Sequence, residues 1–236
     1  MTADELHSYL CRSTLPTLLV EGKGDRGILR KFGDLLVTKN IDVLPVGGKL
    51  VLDAVYERRA ALTGAQVVFM RDRDEFCVLE EPDDFNDYVL TSGYSIENDV
   101  LDRGIIDRLA GETSGALASL VTEFATWFRA RLQNYVMKDP SLPLATDVTA
   151  ILRDGGFTED AGREVAETDL VTPFDTLDVT ADAWRWVRGK SLLRAVYSHF
   201  EGISPRYSMD QICDLCIRMG PSPSLANLAQ RVLGRF

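Results

Sequence analysis

Acidic residues follow two short apolar runs in the first third of the sequence. Glu21 comes directly after Leu18-Leu19-Val20, and Asp72 and Asp74 come after the run Val67 to Met70. Runs of this length are typical of strands that are buried on both faces of a parallel sheet. Because ligands bind beyond the carboxyl ends of such strands, we expect the three carboxylates to meet at one sheet edge. Carboxylates held together need a cation, and hard oxygen ligands favour Mg²⁺ or Mn²⁺.

The segments around these acids alternate between strand and helix patterns. Strands are predicted from Pro16, over Ile41 to Val46, over 67–70 and over Tyr88 to Thr91; helices are predicted over Ala3 to Cys11, Gly27 to Leu36 and Leu50 to Leu62, and from about Asp99. Successive strand–helix units with short connections predict a parallel, right-handed α/β sheet flanked by helices. After residue 110 the pattern is helical, with one long helix over Leu117 to Tyr135. We therefore expect an α/β domain over residues 1–110 and an α-helical extension over residues 111–236.

Composition limits the possible functions. The chain has 236 residues, 45% of them apolar, which is enough to bury a sizeable core. No apolar run is long enough to cross a bilayer, and the N-terminal residues lack the features of a secretory signal, so we expect a cytoplasmic protein without membrane contact. The net charge of −10 opposes binding to phosphate backbones. Bound metals, a local basic surface or a partner subunit would have to compensate for it.

Four motifs occur in an order that resembles a known family. They are VEGKGDRGIL, LPVGGK, MRDRDEF and YSIEND, and together they span roughly residues 16 to 110. The order resembles the TOPRIM domain of topoisomerases, primases and related nucleases. It is most similar to the compact branch that includes nuclease subunits working beside an ATPase in bacterial anti-phage systems. The resemblance implies a TOPRIM-like, Rossmann-like fold with a mostly parallel sheet.

The resemblance also implies roles for individual residues. Glu21 would support metal binding or act as a general acid or base, and Asp72 and Asp74 would hold magnesium. Asp25, four residues after Glu21, would support Glu21 or cap the helix that follows. Lys190 would supply a cation to the developing phosphate charge, as a lysine does in related nucleases of the overcoming-lysogenization type.

Further residues belong to the same candidate site. Glu97 lies in the YSIEND motif and is either a fourth metal ligand or a capping group; four carboxylates are enough for one or two ions. Gly22 follows Glu21, and the turn Gly47-Gly48-Lys49 could present N–H groups and a cation to a phosphate. Because this turn lacks the P-loop spacing, we expect any ATPase to be a separate polypeptide.

Other interpretations of these residues fit less well. Residues 22–27 satisfy the dinucleotide-binding pattern G-x-G-x-x-G, but the next predicted strand does not end in an acid that could bind a ribose. Glycosyl transfer also uses an Asp-x-Asp motif, yet it accounts for neither Glu21 nor the Gly-Gly-Lys turn. The pair Cys213 and Cys216 has redox or zinc spacing, although burial on one helix face explains it as well.

The histidines and tryptophans are also candidates. His7 and His199 lie far apart in helical segments, and we interpret both as structural. Trp184 and Trp186 could stack on bases, or they could pack in a core or an interface.

The expected activity is divalent-metal-dependent hydrolysis of DNA or RNA by an endonuclease. The resemblance further implies an effector of anti-phage defence, an ATPase partner subunit and a homodimer. The alternative is a catalytically silent TOPRIM-like binding subunit of an ATPase complex.

Overall fold

The computed structural model describes residues 1–22, 26–64, 66–153, 156–201 and 207–236. Within it the chain forms two compact units. The first unit comprises residues 1–72, 81–91 and 221–236, and the second comprises residues 73–80 and 92–220. The division at residue 110 that the sequence suggests stays a prediction.

The order of elements alternates between strands and helices up to the fourth strand and is then largely helical. The strands are β1 (Thr17–Val20), β2 (Asp42–Pro45), β3 (Val67–Arg71), β4 (Val89–Leu90), β5 (Leu152–Arg153) and β6 (Gly156–Phe157). The helices are α1 (Ala3–Leu10), α2 (Arg26–Leu35), α3 (Lys49–Tyr56), α4 (Ile96–Val100), α5 (Arg103–Ala110), α6 (Ser114–Met137), α7 (Val148–Ile151), α8 (Glu159–Glu167), α9 (Ala183–Trp186), α10 (Gly189–Glu201), α11 (Met209–Arg218) and α12 (Pro223–Leu233). Short 3₁₀ helices include Asp74–Cys77 and Asp83–Phe85.

The first unit contains a four-stranded parallel sheet in the order β2-β1-β3-β4. Val20 at the end of β1 pairs with Pro45 of β2 and with Met70 of β3. All four side chains of β1 are buried, because helices α2, α3 and α12 pack against the sheet. The predicted α/β class, the four strands and their parallel direction are confirmed. The carboxyl ends of β1, β2 and β3 lie at one edge of this sheet.

Two predicted helix boundaries were wrong. The helix expected over Leu50 to Leu62 ends at Tyr56, and a separate 3₁₀ helix follows it. The helix expected from Asp99 begins at Ile96, because Ser95 has the extended backbone of an N-cap residue. The hairpin of β5 and β6 was not predicted, since its strands have two residues each and give no period that a sequence could show.

An aromatic cluster forms the centre of the second unit. Phe124, Trp127 and Phe128 of α6 are fully buried, and the ring of Phe128 lies 6.2 Å from that of Trp186. Helices α8 and α10 pack against α6. Trp186 therefore belongs to the core, which decides between its two sequence interpretations.

The cysteines of α11 and His199 of α10 lie in buried or half-buried positions. Cys213 and Cys216 are both buried, unoxidised residues of α11, and burial raises the pKa of the Cys216 thiol. His199 lies 2.9 Å from the Thr113 hydroxyl through Nε2, and burial lowers its pKa. The predicted burial of the two cysteines is confirmed, whereas His199 is half-buried and its structural role stays a prediction. Within the described ranges, no helix has both the length and the apolar character needed to cross a membrane.

Candidate functional site

Glu21 and Asp72 lie just beyond the carboxyl ends of two adjacent strands in the first unit. Glu21 follows Val20, whose register partner in β3 is Met70, and Asp72 directly follows the last residue of β3. Both acidic residues are half-buried. These two residues therefore lie at one edge of the sheet, and that their carboxylates meet there with that of Asp74 stays a prediction. Carboxylate oxygens are suitable ligands for Mg²⁺ or Mn²⁺, so the donor chemistry fits the expected ion.

The glycine turn after β2 holds the end of β1. The N–H groups of Gly47 and Gly48 donate to the carbonyl oxygen of Glu21 at 3.2 and 2.7 Å. Both glycines have positive φ, 99° and 131°, a conformation that residues with a Cβ rarely adopt. These two N–H groups are therefore engaged within the protein, contrary to the expectation that they face a phosphate. Lys49 is the first residue of α3.

A buried ion pair next to Asp72 was missed by the sequence interpretation. Arg71, the last residue of β3, is 7% exposed, and its Nη1 lies 3.2 Å from Oδ1 of Asp53 on α3. The Arg71 guanidinium also lies over the Phe85 ring, and the Tyr88 hydroxyl donates to the same Asp53 oxygen at 3.0 Å. This cluster fixes the strand end from which Asp72 emerges. No sequence pattern links Asp53, within α3, to Arg71 at the end of β3, so the pair could not be predicted.

Asp74 belongs to the second unit and begins a 3₁₀ helix. Its φ of 52° is left-handed, and its N–H donates to the carbonyl oxygen of Tyr94 at 2.8 Å. The strand ends at Arg71 and the chain then turns, so Asp72 and Asp74 do not lie on one extended strand. Burial, with the nearby charges of Asp74 and Glu75, raises the pKa of Tyr94.

Glu97 is buried beside the start of α10 in the second unit. It is 1% exposed, and the Ser95 hydroxyl donates to Glu97 Oε2 at 2.6 Å. Lys190 Nζ lies 3.9 Å from Glu97 Oε1, while the lysine side chain itself is largely exposed. The sequence placed these two residues in one site, and the structure brings them together. The carboxylate of Glu97 therefore has protein partners at both oxygens.

Two neighbours of Glu97 organise the segment before it and were not predicted. The Asp99 carboxylate accepts hydrogen bonds from the N–H groups of Ser92 and Gly93, at 2.8 and 3.1 Å. The Asn98 amide donates to the carbonyl oxygens of Trp184 and Val187, both at 2.8 Å. A Ser-x-x-Asn capping sequence before α4 was the signal that could have revealed part of this arrangement.

Gly189 is required because the start of α10 lies close to Ser95 and to α4. A Cβ at Gly189 would overlap the Ser95 hydroxyl, would lie 2.5 Å from Asn98 Oδ1 and would lie 2.9 Å from Glu97 Cβ. A larger residue would therefore force the start of α10 away from α4. This glycine places Lys190 beside Glu97.

The structure thus supports parts of the predicted site separately. Glu21 and Asp72 lie at one edge of the first unit's sheet, and Gly22 follows Glu21 without regular secondary structure. Asp25 lies outside the described residues. Among the residues that are described, no three His, Cys, Asp or Glu side chains are grouped closely enough to enclose an ion. The assignment of Asp74 and Glu97 to the same metal set stays a prediction.

The sequence matches no protein-family model, and no curated protein matches it. The resemblance to the TOPRIM family therefore stays a prediction, which rests on the four motifs.

Proposed function

We propose that this chain is a TOPRIM-like, divalent-metal-dependent endonuclease that hydrolyses phosphodiester bonds in DNA or RNA. One observation carries the proposal: Glu21 and Asp72 follow the ends of two adjacent, fully paired parallel strands. Ligand sites of open α/β sheets lie at this position. Glu21 and Asp72 would hold one or two Mg²⁺ or Mn²⁺ ions, with Asp74 and Glu97 as further proposed ligands.

The chemistry of the residues supports hydrolysis of a phosphodiester. A bound divalent ion would stabilise charge on the phosphate and lower the pKa of a coordinated water. Glu21 would accept the proton of the attacking water, because carboxylates positioned at a site act as general bases. Lys190 would offset negative charge that develops on the phosphate, as proposed from the resemblance. The net charge of −10 makes this neutralisation necessary.

The biological role that we propose rests on the resemblance alone. The chain would be the effector of an anti-phage defence system, restrained by an ATPase partner subunit, and would act as a homodimer. A cytoplasmic location is part of this proposal.

A cleavage assay with matched variants tests the activity. Plasmid DNA and total transfer RNA are incubated with the protein in Mg²⁺, in Mn²⁺ or in a chelator. Glu21→Gln and Asp72→Asn remove the two charges with little change in volume, and Glu57→Gln removes an exposed charge at the end of α3 as a control. We expect metal-dependent cleavage that the first two variants lose and the control retains. Equal cleavage by all three variants would refute the assignment of the site.

The alternative is a catalytically silent TOPRIM-like subunit that binds an ATPase, and the acidic composition favours it. Thermal melting with and without metal separates the two proposals. At a metal concentration of 100 Kd, a folded-state site adds about 2.7 kcal/mol to stability. The nuclease proposal predicts this stabilisation in the wild type and its loss in Asp72→Asn. The silent-subunit proposal predicts no effect of metal on either protein.

A further inference from the structure

A cavity of about 330 Å³ lies wholly within the second unit. Its walls come from α5, α6 and the segment from Thr180 to Trp184. The volume is at the lower end of the range for small-molecule sites and exceeds that of a single nucleobase. The candidate metal residues do not line this cavity.

Arg103 is anchored at the wall of the cavity. Its Nη1 donates to the carbonyl oxygen of Thr180 at 3.2 Å, and its Nε lies 3.6 Å from Oδ2 of Asp107. The first contact joins α5 to the segment before α9, and the second lies within α5. A guanidinium has five N–H donors in a fixed plane, so Arg103 retains donors for a ligand.

The Glu123 and Trp184 side chains line the cavity without a hydrogen-bond partner in the described part of the chain. The Glu123 carboxylate on α6 is half-buried and makes no hydrogen bond or ion pair there. The Trp184 side chain is half-buried as well, and its indole N–H has no acceptor among the described residues. Both groups are therefore available to hydrogen-bond a ligand that enters the cavity. An indole ring in a cavity wall can provide a surface on which a planar ring stacks.

We propose that this cavity binds a guanine base. Stacking on Trp184 would hold the ring, as aromatic side chains hold unpaired bases in single strands. The Glu123 carboxylate would accept two hydrogen bonds, from N1–H and from the exocyclic amino group, and Arg103 would donate to O6. Guanine alone among the common bases has two adjacent donors beside an acceptor on this edge. Adenine would direct its N1 lone pair at the carboxylate.

The arrangement of charges argues against a simple cation as the ligand. Asp107 and Glu123 would attract an alkylammonium group, and an indole face would also accommodate one. However, the Arg103 guanidinium pairs with Asp107 and lines the same cavity, so it would repel such a ligand. A neutral ring that carries both donors and an acceptor can hydrogen-bond with Glu123 and Arg103 at the same time. The inference goes beyond the nuclease proposal and does not depend on metal binding.

Tryptophan fluorescence provides a direct measurement. The protein has three tryptophans, of which Trp127 and Trp186 are buried in the aromatic cluster and Trp184 is half-buried. GMP and AMP are titrated into the full chain, without divalent metal, and quenching is followed. Glu123→Gln removes the carboxylate at nearly constant volume. Glu112→Gln, an exposed position outside the cavity, is the matched control.

We expect GMP to bind at least about tenfold more tightly than AMP, because a bidentate hydrogen-bonded pair discriminates between bases by this much. Glu123→Gln should remove the preference, and Glu112→Gln should retain it. Trp184→Phe should abolish the quenching yet retain GMP binding in calorimetry, since phenylalanine still stacks. Equal affinities for GMP and AMP, or equal behaviour of the two glutamine variants, would overturn the proposal.

Guanine could come from a free nucleotide or from a single strand, and a second arm distinguishes these sources. The trinucleotides U-G-U and U-A-U are compared with GMP and AMP under the same conditions. A preference shown by both pairs supports the cavity as a site for free guanine nucleotides. A preference shown by the trinucleotides alone supports recognition within a strand. No preference in either pair refutes the guanine site, whatever the cleavage assay shows.

Discussion

Replacing Asp53 with alanine would leave the Arg71 guanidinium buried without its ion-pair partner. Arg71 is 7% exposed, and its Nη1 lies 3.2 Å from Asp53 Oδ1. The Tyr88 hydroxyl donates to the same oxygen at 3.0 Å, and it would lose its acceptor as well. Because Phe85 covers one face of the guanidinium, with its ring centroid 4.3 Å away, water cannot simply replace the lost contact.

The magnitude follows from burial. Breaking a fully buried ion pair by removing one partner costs about 3–5 kcal/mol. Asp53 is 32% exposed, so solvent screening already weakens the pair and reduces this figure. An unpaired Tyr88 hydroxyl adds about 1 kcal/mol when it is buried. We therefore expect Asp53→Ala to lower the free energy of unfolding by about 2–3 kcal/mol.

Urea denaturation followed by circular dichroism measures this change, with Asp4→Ala as the matched control. Asp4 forms an ion pair with Arg58 in the same unit, but its side chain is 82% exposed, so its removal should have no measurable effect. The double variant Asp53→Leu with Arg71→Met should recover part of the loss, because it removes both charges together. Equal stabilities of Asp53→Ala and Asp4→Ala would refute the interpretation of a buried pair.

Three further predictions concern the remaining contacts. Gly189→Ala should lower the unfolding free energy by about 1–3 kcal/mol, because its Cβ would overlap the N-cap and the first turn of α4. Gly115→Ala, with open space around its Cβ, should be neutral or slightly stabilising, and chemical denaturation compares the two variants. Burial raises the pKa of Cys77 to about 12, so iodoacetamide should alkylate the exposed Cys11 long before Cys77, as mass spectrometry of peptides will show. Burial lowers the pKa of His199 in the folded protein. The stability that neutral His199 contributes is therefore complete above its unfolded pKa of about 6.5 and falls as the pH drops toward the folded pKa. Denaturation of His199→Gln between pH 5 and 8 should lack this pH dependence.

The sheet could be predicted from the sequence because its strands are buried on both faces. Leu18 to Val20 and Val67 to Met70 are continuous apolar runs, and each run forms a central strand. The break after Tyr56 and the short hairpin of β5 and β6 could not be predicted. Local sequence there permits more than one backbone path, and tertiary packing selects among them.

The positions of Glu21 and Asp72 could be predicted because they follow from where two strands end. The surroundings of these residues could not. Arg71 is buried against Asp53, which lies 18 residues earlier on a different element. Such pairs depend on how a helix packs on a sheet, and no spacing in the sequence encodes that.

Acidic residues of helices α3 and α4 show how the fold itself can neutralise a carboxylate. Asp53 is paired with Arg71, and Asp99 accepts two backbone N–H groups. Glu97 has Ser95 and Lys190 as partners. In each case the protein supplies the positive charge or the hydrogen-bond donors, so a half-buried carboxylate indicates a need for such groups and not for a metal in particular. A metal centre is distinguished from another internally satisfied acid by metal-dependent stabilisation. This stabilisation should be lost when the charges of Glu21 and Asp72 are removed and kept when a surface glutamate is changed.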